Sequence, residues 1–484
     1  MSRIAIAVGA ALLLFASCAV AQGARGYPLD VDAYLASQME AQHIPGLSFA
    51  VVRDGVVVAS GARGLANVEL SAPAGDATEF EIASMTKPIT ASAVMLLAQQ
   101  GALSIDDPVA KYLAVPDTWK RMTIRQLLSH TAGVKDHFRD FPAYPPLPLD
   151  RRLSYTKDEY LKAHIDAPLN FSPGSQWAYS GGGYVILGAI IEKVSGQRYA
   201  DYMRDHVFGP LGMEHTHIAS VSDVIPNRAS GYTTEDGKLR NGAYTGEAHI
   251  SGADIGVLTT AADMAKWLIA VSTPRMWTAA SRDLMWTPAK LSDGRDAIAP
   301  TGLSYGLGWF VSMFGRFRLV GHDGSLFNAF SSSVFFLPEK QFGVVVLTNQ
   351  SDANPRAIAL GIAARCDPEL KPPHELSPQP ERNPAATARA KAFVAALFRG
   401  GELLPFATSG LVRHLSAIAH PLAPAGAPAP AVAFIADEDL ALPIQRFGAS
   451  AVRLAYYKIT IEGDDHWITL YLTAAGRIAD LAGY

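Results

Sequence analysis

The chain has 484 residues, which exceeds the size of one ordinary hydrophobic core and predicts two or three domains. Hydrophobic residues make up 49% of the sequence and charged residues 18%, as in globular proteins. The net charge of -4 and the lack of any basic run exclude the electrostatic footprint of a nucleic-acid-binding protein.

The N-terminal segment has the features of an export signal. Arg3 precedes a short apolar run, and the small residues at 19–21 form a cleavage site before Gln22. We therefore expect residues 1–21 to be a signal peptide and the mature protein to be periplasmic or secreted. No later stretch offers the ~20 apolar residues that a transmembrane helix requires.

The two cysteines do not predict a disulfide. Cys18 lies in "FASC", a weak match to a bacterial lipoprotein acylation site that would attach a lipid anchor. Cleavage after Ala21 discards Cys18 and leaves Cys366 alone, so no internal disulfide can form.

Hydrophobic patterns predict the elements of the long N-terminal part in chain order. Two β-branched runs around Asp54-Gly55 predict a hairpin. Apolar residues at helical spacing predict a helix that follows Ser84 and stops at Gly101, and a buried helix that ends at Gly196.

Two late strand-like runs lie on either side of "RLVGHDGS"; they are "YGLGWFVSMF" and "SSSVFFLP…FGVVVLTN". Strands at both ends of this part with helices between them predict an α+β fold, in which helices flank an antiparallel sheet beside a mostly helical region. We expect this domain to cover residues 27–365.

A change in composition marks the end of that domain. Residues 366–384 are polar and dense in proline, which is typical of a semi-rigid linker. Residues 385–484 then predict a small α+β domain of unknown role, without a catalytic constellation. Its elements are a helix in "AATARAKAFVAALFRG", a Pro/Ala-rich loop at 421–430, and strands in "VRLAYYKITI" and "HWITLYLT".

Ser84 and Lys87 stand three residues apart at the start of a predicted helix. Residues at this spacing share a helix face, and a desolvated lysine can take the proton of a serine nucleophile. The main-chain N–H of a serine at a helix N-terminus is also available to an oxyanion. Pro88 removes an N–H that would bond the Ser84 carbonyl, so we expect an irregular first turn.

A second pair, Ser154 and Lys157, has the same spacing. Asp158 and Glu159 follow at once, which is typical of a capped surface helix. We therefore interpret Ser154 as a helix cap and Lys157 as a solvated side chain. Spacing alone does not separate the two pairs, so the choice depends on partners elsewhere in the chain.

Two downstream motifs resemble those of a known family. "WAYSGGGYVILGAIIEKVSG" around Tyr179 and "LVGHDGSLFNAFSS" around His322 are similar to the tyrosine motif and the third motif of serine β-lactamase-like hydrolases. This family includes class C β-lactamases, family VIII esterases, penicillin-binding-type proteins and S12-like peptidases. Further similarity, in "PGLSFAVVRDG", "TIRQLLSHTAGV" and "LTTAADMAKWL", extends the resemblance from about Tyr27 to Ser351.

The resemblance implies a β-lactamase/transpeptidase-like fold and acyl transfer without a cofactor or a metal. Ser84 would be the nucleophile, Lys87 its base, and Tyr179 a phenol that relays the serine proton and protonates the leaving group. In the third motif, His322 and Gly324 would line the active-site edge strand. The N–H of Ser325 would complete an oxyanion hole with the N–H of Ser84.

Three positions depart from the family pattern. Gly181 replaces an asparagine that would hold a substrate carbonyl and brace the lysine. His322 and Asp323 replace a lysine and a hydroxyl residue, both suited to gripping a substrate carboxylate. If the Asp323 side chain faces the cleft, it should repel anionic substrates, or it could receive a substrate amine. We therefore rank neutral esters and amides above β-lactams.

Other residues near these motifs have less specific interpretations. "DHFRDFPAYPPLPLD" is either a rigid loop bordering an apolar pocket or a packed surface loop. Trp177 and Trp309 are candidates for the cleft wall or for the core. We interpret the histidines at 215–217 as a loop rather than a metal site, and His130 as part of the framework rather than a base.

The leading hypothesis is an exported serine hydrolase that cleaves small-molecule carboxylic esters. The alternatives are a D-amino-acid amidase or aminopeptidase, a weak β-lactamase or a DD-peptidase, with cell-wall-derived compounds among the substrates. A binding-only, cell-wall-sensing module is a different class of function. Intact Ser84, Lys87 and Tyr179 argue against it, because binding alone requires none of the three.

Overall fold

The computed structural model describes residues 29–137, 145–299, 302–326, 329–416, 429–461 and 463–483. The expected signal peptide, Cys18, the middle of the aromatic loop and most of the Pro/Ala-rich loop lie outside the described residues. Within the described part of the chain, no helix is long and apolar enough to cross a membrane.

Twelve α-helices occur in these residues. They are α1 (Leu29–Ala41), α2 (Thr86–Gln99), α3 (Ile124–Leu128), α4 (Lys157–Asp166), α5 (Gly181–Ser195), α6 (Tyr199–Met203), α7 (Glu247–Ile250), α8 (Ala261–Ser272), α9 (Ala279–Met285), α10 (Pro355–Cys366), α11 (Pro384–Arg399) and α12 (Ser409–Ser416).

Seventeen strands occur in the same ranges. They are β1 (Gly46–Arg53), β2 (Val56–Asn67), β3 (Ala72–Pro73), β4 (Phe80–Glu81), β5 (His217–Ile218), β6 (Tyr232–Glu235), β7 (Lys238–Asn241), β8 (Val257–Thr259), β9 (Ser304–Tyr305), β10 (Phe310–Phe314), β11 (Phe317–Leu326), β12 (Phe330–Leu337), β13 (Phe342–Thr348), β14 (Ala431–Arg446), β15 (Ala449–Ile461), β16 (Asp464–Leu472) and β17 (Ile478–Gly483).

The centre of the first domain is an eight-stranded antiparallel sheet in the order β3-β2-β1-β13-β12-β11-β10-β9. The N-terminal hairpin joins the late strands through β1 and β13, with Phe49 opposite Val346. Helices α2 and α8 cover one face and α1 and α10 the other, so every residue of β13 is buried. The predicted α+β fold is confirmed.

Turn and cap residues act where the sequence predicts. Asp54 and Gly55 both have positive φ, 51° and 74°, as a two-residue hairpin turn requires. Helix α5 ends at Gly196, whose φ of 71° is a left-handed C-cap. A short 3₁₀ turn, Ala83–Met85, precedes α2, which is the irregular start expected from Pro88.

The C-terminal residues form their own small core. Strands β14 to β17 make a four-stranded meander against α11 and α12, with Phe393, Leu411 and Leu470 buried between them. Residues 366–384 are held to the first domain by ion pairs such as Lys340–Asp367 at 2.8 Å. The meander contacts the turn between β10 and β11, where the Tyr471 hydroxyl donates a hydrogen bond to the Gly315 carbonyl.

One buried side-chain amide forms hydrogen bonds that connect the sheet to a distant loop. Asn349, just after β13, is fully buried; its Oδ1 accepts a hydrogen bond from the Gly46 N–H at 2.6 Å. Its Nδ2 donates to the carbonyls of Leu65 and Ser230, both at 3.0 Å. The side chain therefore satisfies main-chain groups at the ends of β1 and β2 and in a distant loop.

We predict that Asn349→Ala lowers the free energy of unfolding by about 2 to 4 kcal/mol, because it leaves buried main-chain groups without partners. Chemical denaturation monitored by tryptophan fluorescence measures this loss. Asn241→Ala, which removes an exposed amide from β7, is the control and should cost less than about 0.5 kcal/mol. Equal losses in both variants would contradict the assigned role of Asn349.

Candidate active site

Ser84 lies in the 3₁₀ turn Ala83–Met85, which is fixed on both sides. The Ile82 N–H donates to the carbonyl of Val257 in β8 at 3.0 Å, and the Met85 N–H donates to the Ile82 carbonyl at 3.1 Å. Ala83 has a φ of 49°, an unusual value for a residue other than glycine. Because Ser84 precedes the first N–H that the turn bonds, its own N–H has no partner within the turn.

Lys87 lies one turn further on, in α2, and is 1% exposed. Its Nζ donates a hydrogen bond to Ser84 Oγ at 3.1 Å and another to the main-chain carbonyl of Asp254 at 3.1 Å. The Nζ also lies 4.8 Å from the centre of the Tyr179 ring. The structure therefore brings Ser84, Lys87 and Tyr179 together, with the amine in position to take the serine proton.

The second pair has a different environment. Helix α4 begins at Lys157 and is capped by Thr156, whose side chain and that of Glu159 form a capping box. The predicted capped surface helix is present, but the choice of Ser154 as its cap is wrong, since Ser154 lies outside the helix. Lys157 is 60% exposed and pairs with Glu192 at 3.3 Å, so its ammonium is not desolvated.

Tyr179 is held by its neighbours in the chain and by His130. It immediately precedes Ser180, the N-cap of α5, whose N–H donates to His130 Nδ1 at 3.2 Å. The imidazole packs on the Tyr179 ring with centres 4.3 Å apart. Burial, followed by the charge of Lys87, holds the pKa of His130 well below its usual value, so His130 is a neutral support for the tyrosine.

The third motif lies on β11, with alternate side chains on opposite faces of the sheet. His322 and Gly324 face the side that carries Ser84. A Cβ atom at Gly324 would lie 2.1 Å from the Ile82 carbonyl oxygen, so glycine lets the strand contact the nucleophile turn directly. Pairing of β11 with β10 ends at Gly321, which leaves the following residues as an open sheet edge among the described strands.

Asp323 and Ser325 face the other side of the sheet. Asp323 Oδ1 accepts a hydrogen bond from Ser333 Oγ at 2.6 Å, and Oδ2 lies 3.4 Å from an Arg356 nitrogen at the start of α10. The conditional prediction of a carboxylate in the cleft is therefore wrong, because strand alternation turns this side chain away from Ser84. From Ser325, only main-chain groups are available to an oxyanion.

The hydrogen bonds of His322 fix one of its ring protons. Its Nδ1 lies 2.7 Å from the main-chain oxygen of Asp323, which can only accept, so Nδ1 carries a proton. Its Nε2 lies 3.2 Å from the Tyr305 hydroxyl, which can both donate and accept. His322, at 1% exposure, therefore places an imidazole at the position that resembles the family's lysine.

Gly181 is where sequence reasoning missed a feature. A Cβ atom there would lie 2.8 Å from Asp254 Oδ2 and 2.9 Å from His137 Cε1, so other side chains fill the space of a side chain at this position. A Cβ at Gly182 would lie 2.4 Å from His164 Cδ2. The run of three glycines was the available signal, but the residues that fill the space are distant in sequence.

The remaining candidates lie at the margin of the site or outside it. Trp309 belongs to the core, stacked on Trp267 at 5.4 Å, whereas Trp177 lies 5.8 Å from His130. His215 and His217 face the buried Glu79 rather than a third ligand. Among the residues that the structure describes, no group of metal-ligating side chains could hold an ion.

Comparison with known families agrees with this fold. Residues 31–366 match the sequence model of the family described as Beta-lactamase. The chain therefore belongs to the β-lactamase family of serine hydrolases.

Individual relatives are distant. Protein flp of Staphylococcus aureus strain MW2 is 28% identical over 335 residues, 66% of this chain and 62% of flp. A putative penicillin-binding protein, PbpX of Bacillus subtilis, is 28% identical over 262 residues, 54% of this chain and 61% of PbpX. The chain thus spans about three fifths of the length of the curated relatives it matches.

Two solved structures share the fold. An octameric penicillin-binding protein homologue from Pyrococcus abyssi has a TM-score of 0.61 at 24% identity and covers 94% of this chain and 98% of its own. A D-stereospecific amidohydrolase from Streptomyces sp. has a TM-score of 0.56 at 23% identity and covers 69% of this chain and 98% of its own.

We predict that Lys87→Met slows fluorophosphonate labelling of Ser84 by about 100- to 10,000-fold, the usual effect of removing a general base. Methionine fills similar space without an amine. The matched control, Lys157→Met, should label at the wild-type rate. Labelling rates measured by intact-protein mass spectrometry decide between the two pairs, and equal losses would refute the choice of Lys87.

Proposed function

We propose that this protein is an exported serine hydrolase that cleaves neutral carboxylic esters through an acyl-enzyme on Ser84. The observation that carries the proposal is the 3.1 Å contact between the buried Lys87 Nζ and Ser84 Oγ. A lysine that is 1% exposed, among aromatic rings and without a carboxylate hydrogen-bonded to its Nζ, is suited to act as a base.

The reaction follows from the positions of three side chains. Neutral Lys87 accepts the Ser84 proton as Oγ attacks the ester carbonyl, and the N–H groups of Ser84 and Ser325 stabilise the oxyanion. Tyr179 passes the proton to the departing alcohol. Water then attacks the acyl-enzyme with the same base, releasing the carboxylic acid and restoring Ser84.

The sheet edge supports a neutral substrate. His322 places an imidazole where β-lactamases usually have a lysine, and Asp323 is turned away from the cleft. Without the lysine ammonium, a substrate carboxylate loses a charge-assisted hydrogen bond, which ranks β-lactams and carboxylate-ended peptides below esters. The turned-away Asp323 also removes the support for an aminopeptidase, which would need an acid facing the substrate amine.

Amide hydrolysis is the alternative within the same mechanism. The amidohydrolase from Streptomyces shares the fold, and the same nucleophile and base can act on an amide. The predicted export signal places the reaction in the periplasm or outside the cell, where cell-wall-derived esters and amides are candidate substrates.

The test combines labelling with a substrate panel. We expect a fluorophosphonate probe to label Ser84 in the folded protein and Ser84→Ala to abolish labelling. Short-chain nitrophenyl esters should then be turned over faster than D-alanine amides and nitrocefin. An unlabelled wild-type protein would refute the enzyme, whereas rapid nitrocefin turnover with inert esters would refute the substrate class.

The position of His322 at the edge of the sheet gives a further prediction. His322→Lys should raise the ratio of kcat/KM for nitrocefin to that for nitrophenyl acetate by about tenfold, since a hydrogen bond to a charged group is worth about 1.5–3 kcal/mol. The ratio does not depend on how much enzyme folds. His374→Lys, in the linker, is the control, and an unchanged ratio in both variants would remove His322 from substrate selection.

A further inference from the structure

A buried polar group lies directly behind Lys87, and we name it the imidazole cluster. It consists of His137, His164 and His249 with Asp254 and Tyr160, all less than 10% exposed. Its members come from the segment after α3, from α4, from α7 and from the segment before β8. The glycine start of α5 makes room for it, since side chains at Gly181 and Gly182 would collide with its members.

Asp254 connects the cluster to the proposed base. Its main-chain oxygen accepts the hydrogen bond from Lys87 Nζ, and its carboxylate occupies the space beside Gly181. Burial alone would raise the pKa of Asp254, but its pairing with His137 and the charge of Lys87 outweigh burial and lower the pKa. The carboxylate is therefore ionised close to the Lys87 ammonium.

The protons in the cluster follow from a chain of hydrogen bonds. His164 Nδ1 lies 2.8 Å from the carbonyl oxygen of Tyr160, which can only accept, so Nδ1 is protonated. Burial, followed by the charge of His137, lowers the pKa of His164 to about 3, so its Nε2 is an acceptor at neutral pH. His137 Nδ1, 2.9 Å from that atom, must then be the donor.

The far side of His137 faces a second acceptor. Its Nε2 lies 3.4 Å from Asp254 Oδ2. The ring is thus held between the His164 imidazole and the Asp254 carboxylate, which orients the carboxylate.

We propose that Asp254, oriented by the chain His137–His164–Tyr160, is the positioning residue of Lys87 and supplies the buried negative charge that Gly181 leaves room for. This rests on the proposed function, since it assigns a partner to the proposed base. The Asp254 carboxylate acts on Lys87 through its charge and is fully buried, so its removal should alter proton transfer rather than substrate binding.

Several other groups face this pair. They are Asp136 on the segment of His137, Tyr160 and His164 on α4, Tyr199 on α6, His249 on α7 and Lys87 on α2. Burial keeps Tyr160 and Tyr199 protonated and lowers the pKa of His249 to about 4. Apart from Asp136, Asp254 is therefore the anion that these groups place next to the base.

Asp254→Asn tests the charge while keeping the shape. The main-chain oxygen remains, and asparagine has nearly the same shape as aspartate, so the fold should hold. Loss of the anion favours the uncharged amine, and we expect the acidic limb of the kcat/KM profile for nitrophenyl acetate to move to lower pH by at least about half a unit. A profile that superimposes on that of the wild type would overturn the proposal.

Asp254→Ala tests the positioning. It removes the pair, and we expect kcat per labelled active site to fall at least about tenfold while KM stays within about threefold. His249→Gln, in the same cluster but outside the chain to Lys87, is the control and should change neither kcat nor the pH limb. An equal effect of His249→Gln, or a loss confined to KM, would show that Asp254 acts only through local stability.

These outcomes are separable from those of the proposed function. A wild-type protein that the fluorophosphonate does not label refutes the hydrolase itself. A labelled wild type whose Asp254 variants keep both the wild-type pH limb and kcat leaves the hydrolase intact and refutes Asp254 as the partner of its base.

Discussion

The ammonium of Lys87 is the group on which the arrangement of the site depends. An amine at 1% exposure has lost its water and must find acceptors inside the protein. It finds Ser84 Oγ on the 3₁₀ turn just before its own helix and the Asp254 carbonyl on a distant segment, with aromatic faces completing the shell. Meeting this requirement holds the start of α2 against the segment before β8.

The opposite wall of the site depends on a close backbone contact. Gly324 brings β11 against the carbonyl of Ile82, and Ser332 on β12 donates a hydrogen bond to the same oxygen at 2.8 Å. The sheet therefore holds the nucleophile turn through the residue two positions before Ser84. A side chain at Gly324 would push the edge strand away from the serine. The width of the cleft therefore depends on glycine at this position.

The acylation residues indicate the type of reaction, whereas the groups around them indicate the substrate and the support of the base. Ser84, Lys87 and Tyr179 form an arrangement suited to acyl transfer in general. The imidazole of His322 bears on which substrates are held, and the space at Gly181 bears on how the base is supported. At Gly181, a carboxylate from elsewhere in the chain occupies the space that a longer side chain would need. The space at Gly181 is thus filled by a residue more than seventy positions away in the chain.

The sequence by itself determined the local features of this protein. The Asp54-Gly55 turn, the Gly196 cap, the irregular start of α2 and the antiparallel α+β class follow from short-range rules of backbone conformation and apolar spacing. Motif similarity brought Ser84, Lys87 and Tyr179 to one site, which the structure reproduces. The cap at Thr156 rather than Ser154 was missed because both residue types favour that position.

Only the tertiary structure decided the features that depend on orientation and on burial. The direction of Asp323 is set by its place on one face of β11, and a motif does not state which face points to the cleft. The pairing of His137 with Asp254 joins segments far apart in the chain, and no local sequence pattern predicts it. Burial distinguishes Lys87 from Lys157. Both lie three residues after a serine, but a lysine is suited to act as a base only where folding removes water from its amine.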